Sequence, residues 1–213
     1  MFKYIKVILL GWITIPHILV YLISRNRKTI SIDLDRWSCF TPFGRKLYPN
    51  EFLDSSVQLD LHYYRFGGGK MLVYRCLTLM FLLLSRQEYR NVFYLRNRIA
   101  KYFLLYLRPL SSLYINVPSC KFGAGTIIQH GFSTIITAEK VGLFCDIGQQ
   151  VTVGFNKGGM PNIGNFVNIS AGAKLAGPIK IGDHATLGMN ASVVKDIPEN
   201  AVVVPSAMRI FYK

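Results

Sequence analysis

An aliphatic residue recurs at every sixth position through much of the second half of this 213-residue chain. The uninterrupted run comprises Ile163, Ile169, Leu175, Ile181, Leu187 and Val193. Three short strands that close into a triangular coil would direct these side chains into one interior, and the mostly small residues that follow them suit the corners. The period predicts a mainly β fold over residues 115–204, namely a left-handed parallel β-helix of hexapeptide repeats. A left-handed coil is an exception to the rule that connections between parallel strands are right-handed.

The period extends backwards with two irregularities. Its earlier members are Phe122, Ile128, Ile135, Val141, Ile147 and Val153. One extra residue precedes Ile135, close to His130, and four extra residues precede Ile163, within the Gly-rich segment 154–162. Insertions in a solenoid form loops, often on its binding face. Because successive coils superpose, we expect His130 and segment 154–162 to lie close together.

The first half of the chain differs from the second in charge and hydropathy. Residues 1–113 carry 17 Lys and Arg against 6 Asp and Glu, whereas residues 114–213 carry 8 against 5. Three apolar runs, 7–23, 71–84 and 99–107, lie among these basic residues. Since 51% of all residues are hydrophobic, the chain is not expected to be disordered. We predict a helical, apolar and basic N-terminal region over 1–113 and a separate β-helix domain over 114–213.

The apolar runs suggest contact with a membrane. Helices that carry an apolar face beside Lys and Arg lie in the bilayer interface, so an anionic membrane surface is the expected partner. The run 7–23 is slightly short for a span and contains Pro16, which leaves open whether it spans the bilayer or only dips into it. The alternative is a helical domain that buries these faces in itself or in an oligomer. Nucleic acid is not an expected partner, because no recognition motif accompanies the basic residues.

The cysteines give no indication of a metal site. They are Cys39, Cys76, Cys120 and Cys145. None forms a CxxC pair, and their spacing matches no zinc pattern. We expect reduced cysteines that pack in the protein, and no bound metal.

Three segments of the second half carry a family resemblance. They read GAGTIIQHG (123–131), IGNFVNISAGAKLAG (163–177) and IKIGDHATLGMNASVVKDIPENAVVV (179–204). On these residues the chain resembles the serine acetyltransferase family of left-handed β-helix acyltransferases, and in particular its members encoded with bacterial capsule and exopolysaccharide genes. Residues Glu88–Arg96 look like a helical motif that precedes the β-helix in that branch.

The resemblance implies a homotrimer that binds acetyl-CoA in the groove between adjacent β-helices and uses His130 as general base. A neutral imidazole can take the proton of an acceptor hydroxyl as that oxygen attacks the thioester directly. Asn116 falls where the family has the aspartate that orients the base; an amide can bond the imidazole but stabilises an imidazolium less than a carboxylate does. The expected cofactor contacts are Gly154, Gly158, Gly159, Ala171, Thr186, Met189 and Lys195.

Departures from the family pattern bear on the acceptor. Gln129 replaces an acidic residue, and Gly159 and Met160 replace an Arg and a His. The site then lacks a cation to bind the carboxylate of an amino acid and an anion to bind its ammonium group. The side chains of Gln129, Asn116 and Asn156 suit hydrogen bonds to a neutral acceptor. We therefore expect the acceptor to be a sugar hydroxyl of a bacterial polysaccharide or its lipid-linked precursor, at the cytoplasmic face of the inner membrane, where acetyl-CoA is available. The alternatives are serine O-acetylation for cysteine synthesis and a non-catalytic β-helix scaffold.

Overall fold

The computed structural model describes residues 9–42 and 69–205, and the side chains of the second range from residue 71. Residues 7 and 8 of the first apolar run and residues 206–213 of the predicted β-helix domain lie outside the described residues. The described chain consists of a group of helices followed by a parallel β-solenoid. The helices are α1 (Ile15–Ile23), α2 (Arg27–Trp37), α3 (Gly69–Ser85), α4 (Gln87–Arg96) and α5 (Arg98–Leu104).

The ends of these helices follow local sequence rules. A 3₁₀ turn over Gly11–Thr14 leads into α1, where Pro16 occupies the first turn and so removes a donor that has no partner there anyway. Glu88 in the first turn of α4 and Arg96 in its last turn complement the helix dipole. None of the described helices is both long enough and apolar enough to cross a bilayer.

The solenoid winds through three parallel sheets in a fixed order. The first sheet contains β1 (Leu113–Ile115), β3 (Thr134–Ile136), β6 (Thr152–Gly154), β9 (Lys174–Ala176) and β12 (Ser192–Val193). The second contains β4 (Lys140–Val141), β7 (Asn162–Ile163) and β10 (Lys180–Ile181). The third contains β2 (Ile127–Ile128), β5 (Asp146–Ile147), β8 (Asn168–Ile169), β11 (Thr186–Leu187) and β13 (Val202–Val203). About five turns are stacked in this way, and the left hand of the coil stays a prediction.

The aliphatic residues of the uninterrupted run form the interior of the solenoid. All six, from Ile163 to Val193, are at most 3% exposed. Burying one such side chain fully stabilises the fold by about 1.5–3 kcal/mol relative to leaving it in water. The stacked interior is therefore the main source of stability in this half of the chain.

The prediction that Ile135 points inward is wrong. Tyr114 pairs with Ile135 and Ile115 with Ile136, and it is Ile136 that is fully buried, whereas Ile135 is 42% exposed. The corner after Ile128 holds one residue more than the sequence pattern suggested. Because side chains alternate across a strand, a shift of one residue exchanges its inward and outward faces.

A buried ion pair joins the helices to the first coil of the solenoid. Arg96 of α4 donates from Nε to Oδ2 of Asp33 in α2 at 3.0 Å, and both side chains are 1% exposed. Arg96 also donates to the carbonyls of Ser119 and Gly123, at 3.0 and 2.9 Å. Asp33 Oδ1 accepts the backbone N–H of Gly125 at 2.7 Å. Helices and solenoid consequently share one continuous buried core, and the predicted division at residue 113 stays a prediction.

Stacked rings occupy the corner between the second and third sheets. Phe144, Phe166 and His184 all have positive φ angles, of 54°, 56° and 59°, and their ring centroids are 5.5 and 4.8 Å apart. In the coil below, Gly125 takes the equivalent conformation at φ 74°, and a Cβ there would lie 2.4 Å from the Phe144 ring. A glycine is therefore required at residue 125.

Candidate active site

The corner that leads from the third sheet to the first forms a cavity of about 400 Å³. Its lining comes from successive turns: Gln129 and His130 after β2, Gly148 and Gln149 after β5, Ser170 and Ala171 after β8, and Met189 after β11. These residues align because the strands before them pair in parallel and in register. Four residues predicted from the sequence, Gln129, His130, Ala171 and Met189, are thus brought together.

His130 is presented to solvent at the start of this corner. Its φ of 51° lies in the left-handed region, which costs a residue with a Cβ about 1–2 kcal/mol. Its side chain is exposed, and its imidazole forms no hydrogen bond within the described part of the chain. Both ring nitrogens are therefore available to a bound substrate.

Asp146 lines the same cavity and was not singled out from the sequence. Across β5 and β2 it pairs with Ile127, three residues before His130 in the chain. Arg36 of α2 donates from Nη2 to its Oδ2 at 2.9 Å. Burial raises the pKa of the Asp146 carboxyl, and Arg36 opposes the shift. This carboxylate is thus already paired with a cation, and the expectation that the site lacks an anion for a substrate ammonium stays a prediction. No local pattern signals the role of Asp146, since Arg36 lies 110 residues away in sequence.

Asn116 lies elsewhere and does not orient His130 in this structure. It follows β1, its backbone N–H donates to the carbonyl of Ile136 at 2.8 Å, and it lines a separate cavity of about 450 Å³ with Arg98 and Lys101. The two cavities share no lining residue. The reason is topological, because β1 belongs to the first sheet and the strand before His130 to the third.

The Gly-rich loop closes on itself at the corner between the first and second sheets. Gly154 ends β6, and Asn156 and Gly159 then exchange two backbone hydrogen bonds of 3.1 Å. The Asn156 Oδ1 accepts the N–H of Gly158 at 2.8 Å, so this side chain shapes its own loop. Lys195, which follows β12, is exposed at the same corner.

The expectation that His130 lies close to the Gly-rich loop of its own chain is wrong. The two follow strands of different sheets, so the width of the first sheet, about 10 Å for a three-residue strand, separates their corners. Thr186 lies on neither corner: it is half-buried on β11, between Asn168 and Val202. A single chain therefore presents two separate groups of the predicted site residues.

Metal binding finds no support in this region. Among the described residues, no three His, Cys, Asp or Glu side chains are grouped so that they could hold a metal ion. All four cysteines are free thiols. Burial raises the pKa of the Cys145 thiol to about 12, which keeps it protonated and unreactive.

Comparison with known proteins gives partial matches. No protein-family model matches the chain. It is 39% identical over 97 residues to a serine acetyltransferase of Mycobacterium tuberculosis, a match that covers 41% of this chain and 40% of that protein. It is 35% identical over 106 residues to a serine acetyltransferase of Helicobacter pylori, with 45% of this chain and 59% of that protein covered. The chain thus spans about two-fifths to three-fifths of the length of these curated relatives.

Solved structures with the same name are more distant. The crystal structure of serine acetyltransferase from Brucella abortus has a TM-score of 0.48 at 22% identity and covers 85% of this chain and 66% of that chain. A serine acetyltransferase in complex with CoA has a TM-score of 0.47 at 20% identity, with 92% and 71% covered. The sequence relatives agree with the predicted resemblance to serine acetyltransferases, while the capsule branch stays a prediction.

Proposed function

We propose that this protein is an acetyl-CoA-dependent O-acetyltransferase with His130 as its general base. The observation that carries the proposal is the exposed imidazole of His130 at the end of a cavity that small residues, neutral polar side chains and Asp146 line along successive turns. Sequence relatives named serine acetyltransferase support acetyl-CoA as the donor substrate.

The lining suits the thioester end of such a donor. The backbone N–H of Ala171 donates no hydrogen bond within the described residues, so it is available to a substrate carbonyl. Gly148 leaves room beside it, because a Cβ there would lie 2.7 Å from the Ala171 nitrogen. The side chain of Met189, 67% exposed, offers an apolar surface to the donor's pantetheine chain.

The chemistry needs one positioned base. The acceptor oxygen attacks the thioester carbonyl while His130 takes its proton, and the imidazolium then protonates the departing CoA sulfur. A positioned general base of this kind contributes about 10²–10⁴ in rate. The Asp146 carboxylate lines the same cavity and is held in place by Arg36.

A second copy of the chain would complete the site. Because the Gly-rich loop and Lys195 lie at a different corner from His130, we infer that they reach its substrate from a neighbouring protomer. In the proposed homotrimer, the loop of one copy faces the His130 corner of the next. Lys195 would then meet a phosphate of CoA.

We propose L-serine as the first candidate acceptor. The name of the sequence relatives supports it, and the Asp146 carboxylate offers a partner for a substrate ammonium. A sugar hydroxyl of a polysaccharide or lipid-linked precursor is the second candidate. It is favoured by one observation: the cavity lining contains no Lys or Arg to pair with an amino-acid carboxylate.

Acetyl transfer by the full chain tests the proposal. Purified protein is incubated with acetyl-CoA and either L-serine or a panel of neutral sugars, while CoA thiol release is followed and the acceptor is analysed by mass spectrometry. The proposal predicts thiol release matched by an acceptor heavier by one acetyl group, and the acetylated acceptor identifies the substrate class. Absence of any acetylated product, together with no binding of CoA, would instead support a non-catalytic scaffold.

A further inference from the structure

Helix α1 exposes large apolar side chains although both of its fully buried side chains carry polar groups. The buried residues of α1 and of the turn before it are Gly11, Thr14, His17 and Tyr21. The last three are each hydrogen-bonded inside the protein, His17 Nε2 to the hydroxyl of Tyr94 at 3.0 Å. A surface helix in water normally buries its apolar side and exposes its polar side. Here Ile18, Val20 and Leu22 pack partly against the core, but Ile15, Leu19 and Ile23 are exposed.

A second helix continues this apolar surface. Helix α5 runs antiparallel to α1: the Tyr106 hydroxyl beyond its C-terminus donates to the Ile13 carbonyl at 2.8 Å, and Ser24 beyond the end of α1 donates to Asn97 Oδ1 at 2.7 Å. We call the joint surface the apolar face. It consists of Trp12, Ile15, Leu19, Ile23, Ile99 and Phe103, each between 52% and 82% exposed.

Exposed cations border the apolar face at one end. They are Arg25, Arg27, Lys28, Arg98 and Lys101. Because α1 ends where α5 begins, the first three and Arg98 gather at the junction of the two helices. Within the described residues none of these cations lies within ion-pair distance of a carboxylate.

We propose that the apolar face docks on the surface of an anionic lipid bilayer. An apolar surface with aromatic side chains and a rim of Lys and Arg matches the interface between acyl chains and anionic headgroups. The helices lie in the plane of this interface. Each exposed cation near the surface strengthens binding about fivefold, an attraction that fades within a Debye length. This proposal does not depend on the proposed acetyl transfer.

Charge argues against a second copy of the chain as the occupant. A second copy carries the same formal net charge of +14, so it would bring an excess of cations to the contact. An anionic bilayer instead supplies the opposite charge.

Vesicle flotation of the full chain tests this docking. The protein is floated with vesicles of phosphatidylcholine alone or mixed with phosphatidylglycerol, at low and at high salt. We expect binding to the mixed vesicles only, and release by salt. Phe103→Glu, at 78% exposure on the apolar face, should weaken binding at least tenfold, whereas the control Val204→Glu, at 72% exposure on the solenoid, should not change it.

A second variant keeps the test independent of any folding defect in the first. Replacing both Arg98 and Lys101 with glutamine leaves the apolar face intact and should weaken binding about 30-fold. No flotation with mixed vesicles would overturn the proposal, as would equal binding to neutral vesicles. A fall in oligomer mass caused by Phe103→Glu, with vesicle binding unchanged, would overturn it in favour of a second copy.

Discussion

Replacing Asp33 with asparagine removes the charge of a carboxylate that lies at the junction of helices and solenoid. Its two oxygens accept from Arg96 Nε at 3.0 Å, from Arg96 Nη2 at 3.4 Å and from the Gly125 N–H at 2.7 Å. Burial raises the pKa of the Asp33 carboxyl, while Arg96 and the Gly125 N–H counteract it. The variant keeps one acceptor oxygen, but it leaves the Arg96 guanidinium, 1% exposed, without an opposite charge, and its amide NH2 faces a second donor in place of the other oxygen.

An uncompensated buried charge of this kind costs about 3–5 kcal/mol. Urea unfolding at one fixed protomer concentration should therefore show Asp33→Asn with a free energy of unfolding lower by about that amount and an unchanged m-value. The matched control is Glu139→Gln, which breaks the ion pair of Glu139 with Lys121, where both side chains are about half exposed. That change should cost less than about 1 kcal/mol.

A double-mutant cycle sharpens the test. Arg96→Met alone leaves the Asp33 carboxylate unpaired, whereas the double variant leaves neither charge in the interior. We expect the double variant to lose less stability than the sum of the single variants, with a coupling of about 2–3 kcal/mol. If the two losses add within about 0.5 kcal/mol, or if Asp33→Asn costs no more than Glu139→Gln, the buried pair does not hold the halves together and the reasoning fails.

Three further predictions follow from single features. Burial, with a smaller effect of Arg90, lowers the pKa of His17 to about 4. The neutral imidazole therefore stabilises the fold fully above pH 6.5, and the free energy of unfolding should fall by about 2 kcal/mol, after a discount for solvent screening, as the pH drops towards 4. Urea unfolding of His17→Gln at the same pH values should lack this dependence. Gly125→Ala places a Cβ against the Phe144 ring at positive φ and should lower the free energy of unfolding by about 2–4 kcal/mol in the same assay. His130→Asn and Gly159→Val chains, each inactive alone, should regain about a quarter of wild-type thiol release when they are mixed and refolded together, because a shared site then receives an intact His130 from one copy and an intact Gly159 from the next about one time in four. No activity returns if each chain works alone.

The solenoid could be predicted because its signal is local and repeated. An aliphatic residue every six positions indicates the buried interior wherever the period is unbroken, as from Ile163 to Val193. The prediction fails at Ile135, where an irregular corner shifts the register by one residue and the period cannot show on which side the extra residue falls. The period also cannot say at which of three corners a loop lies, which is why His130 and Gly159 were expected together.

The remaining features depend on contacts that are distant in sequence. In the sequence Asp146 looks like any other repeat position, and only the contact with Arg36 of α2 distinguishes it. The burial of His17 depends in the same way on Tyr94 and Tyr106, which lie more than 70 residues further along the chain. No pattern within the first apolar run distinguishes its buried side from its exposed side. The membrane contact expected from the apolar, basic character of that run stays a prediction, and the apolar face is the surface proposed for it.

The most direct test of the central claim is the rate of CoA thiol release by His130→Asn beside that of His184→Asn. Both histidines are exposed solenoid residues in the same left-handed conformation, with φ angles of 51° and 59°, but only His130 lines the candidate cavity. With acetyl-CoA and the acceptor that the wild type acetylates, we expect the rate to fall by a factor of about 10²–10⁴ for His130→Asn and to stay unchanged for His184→Asn. Equal rates for the two variants would contradict the assignment of His130 as the base that activates the acceptor.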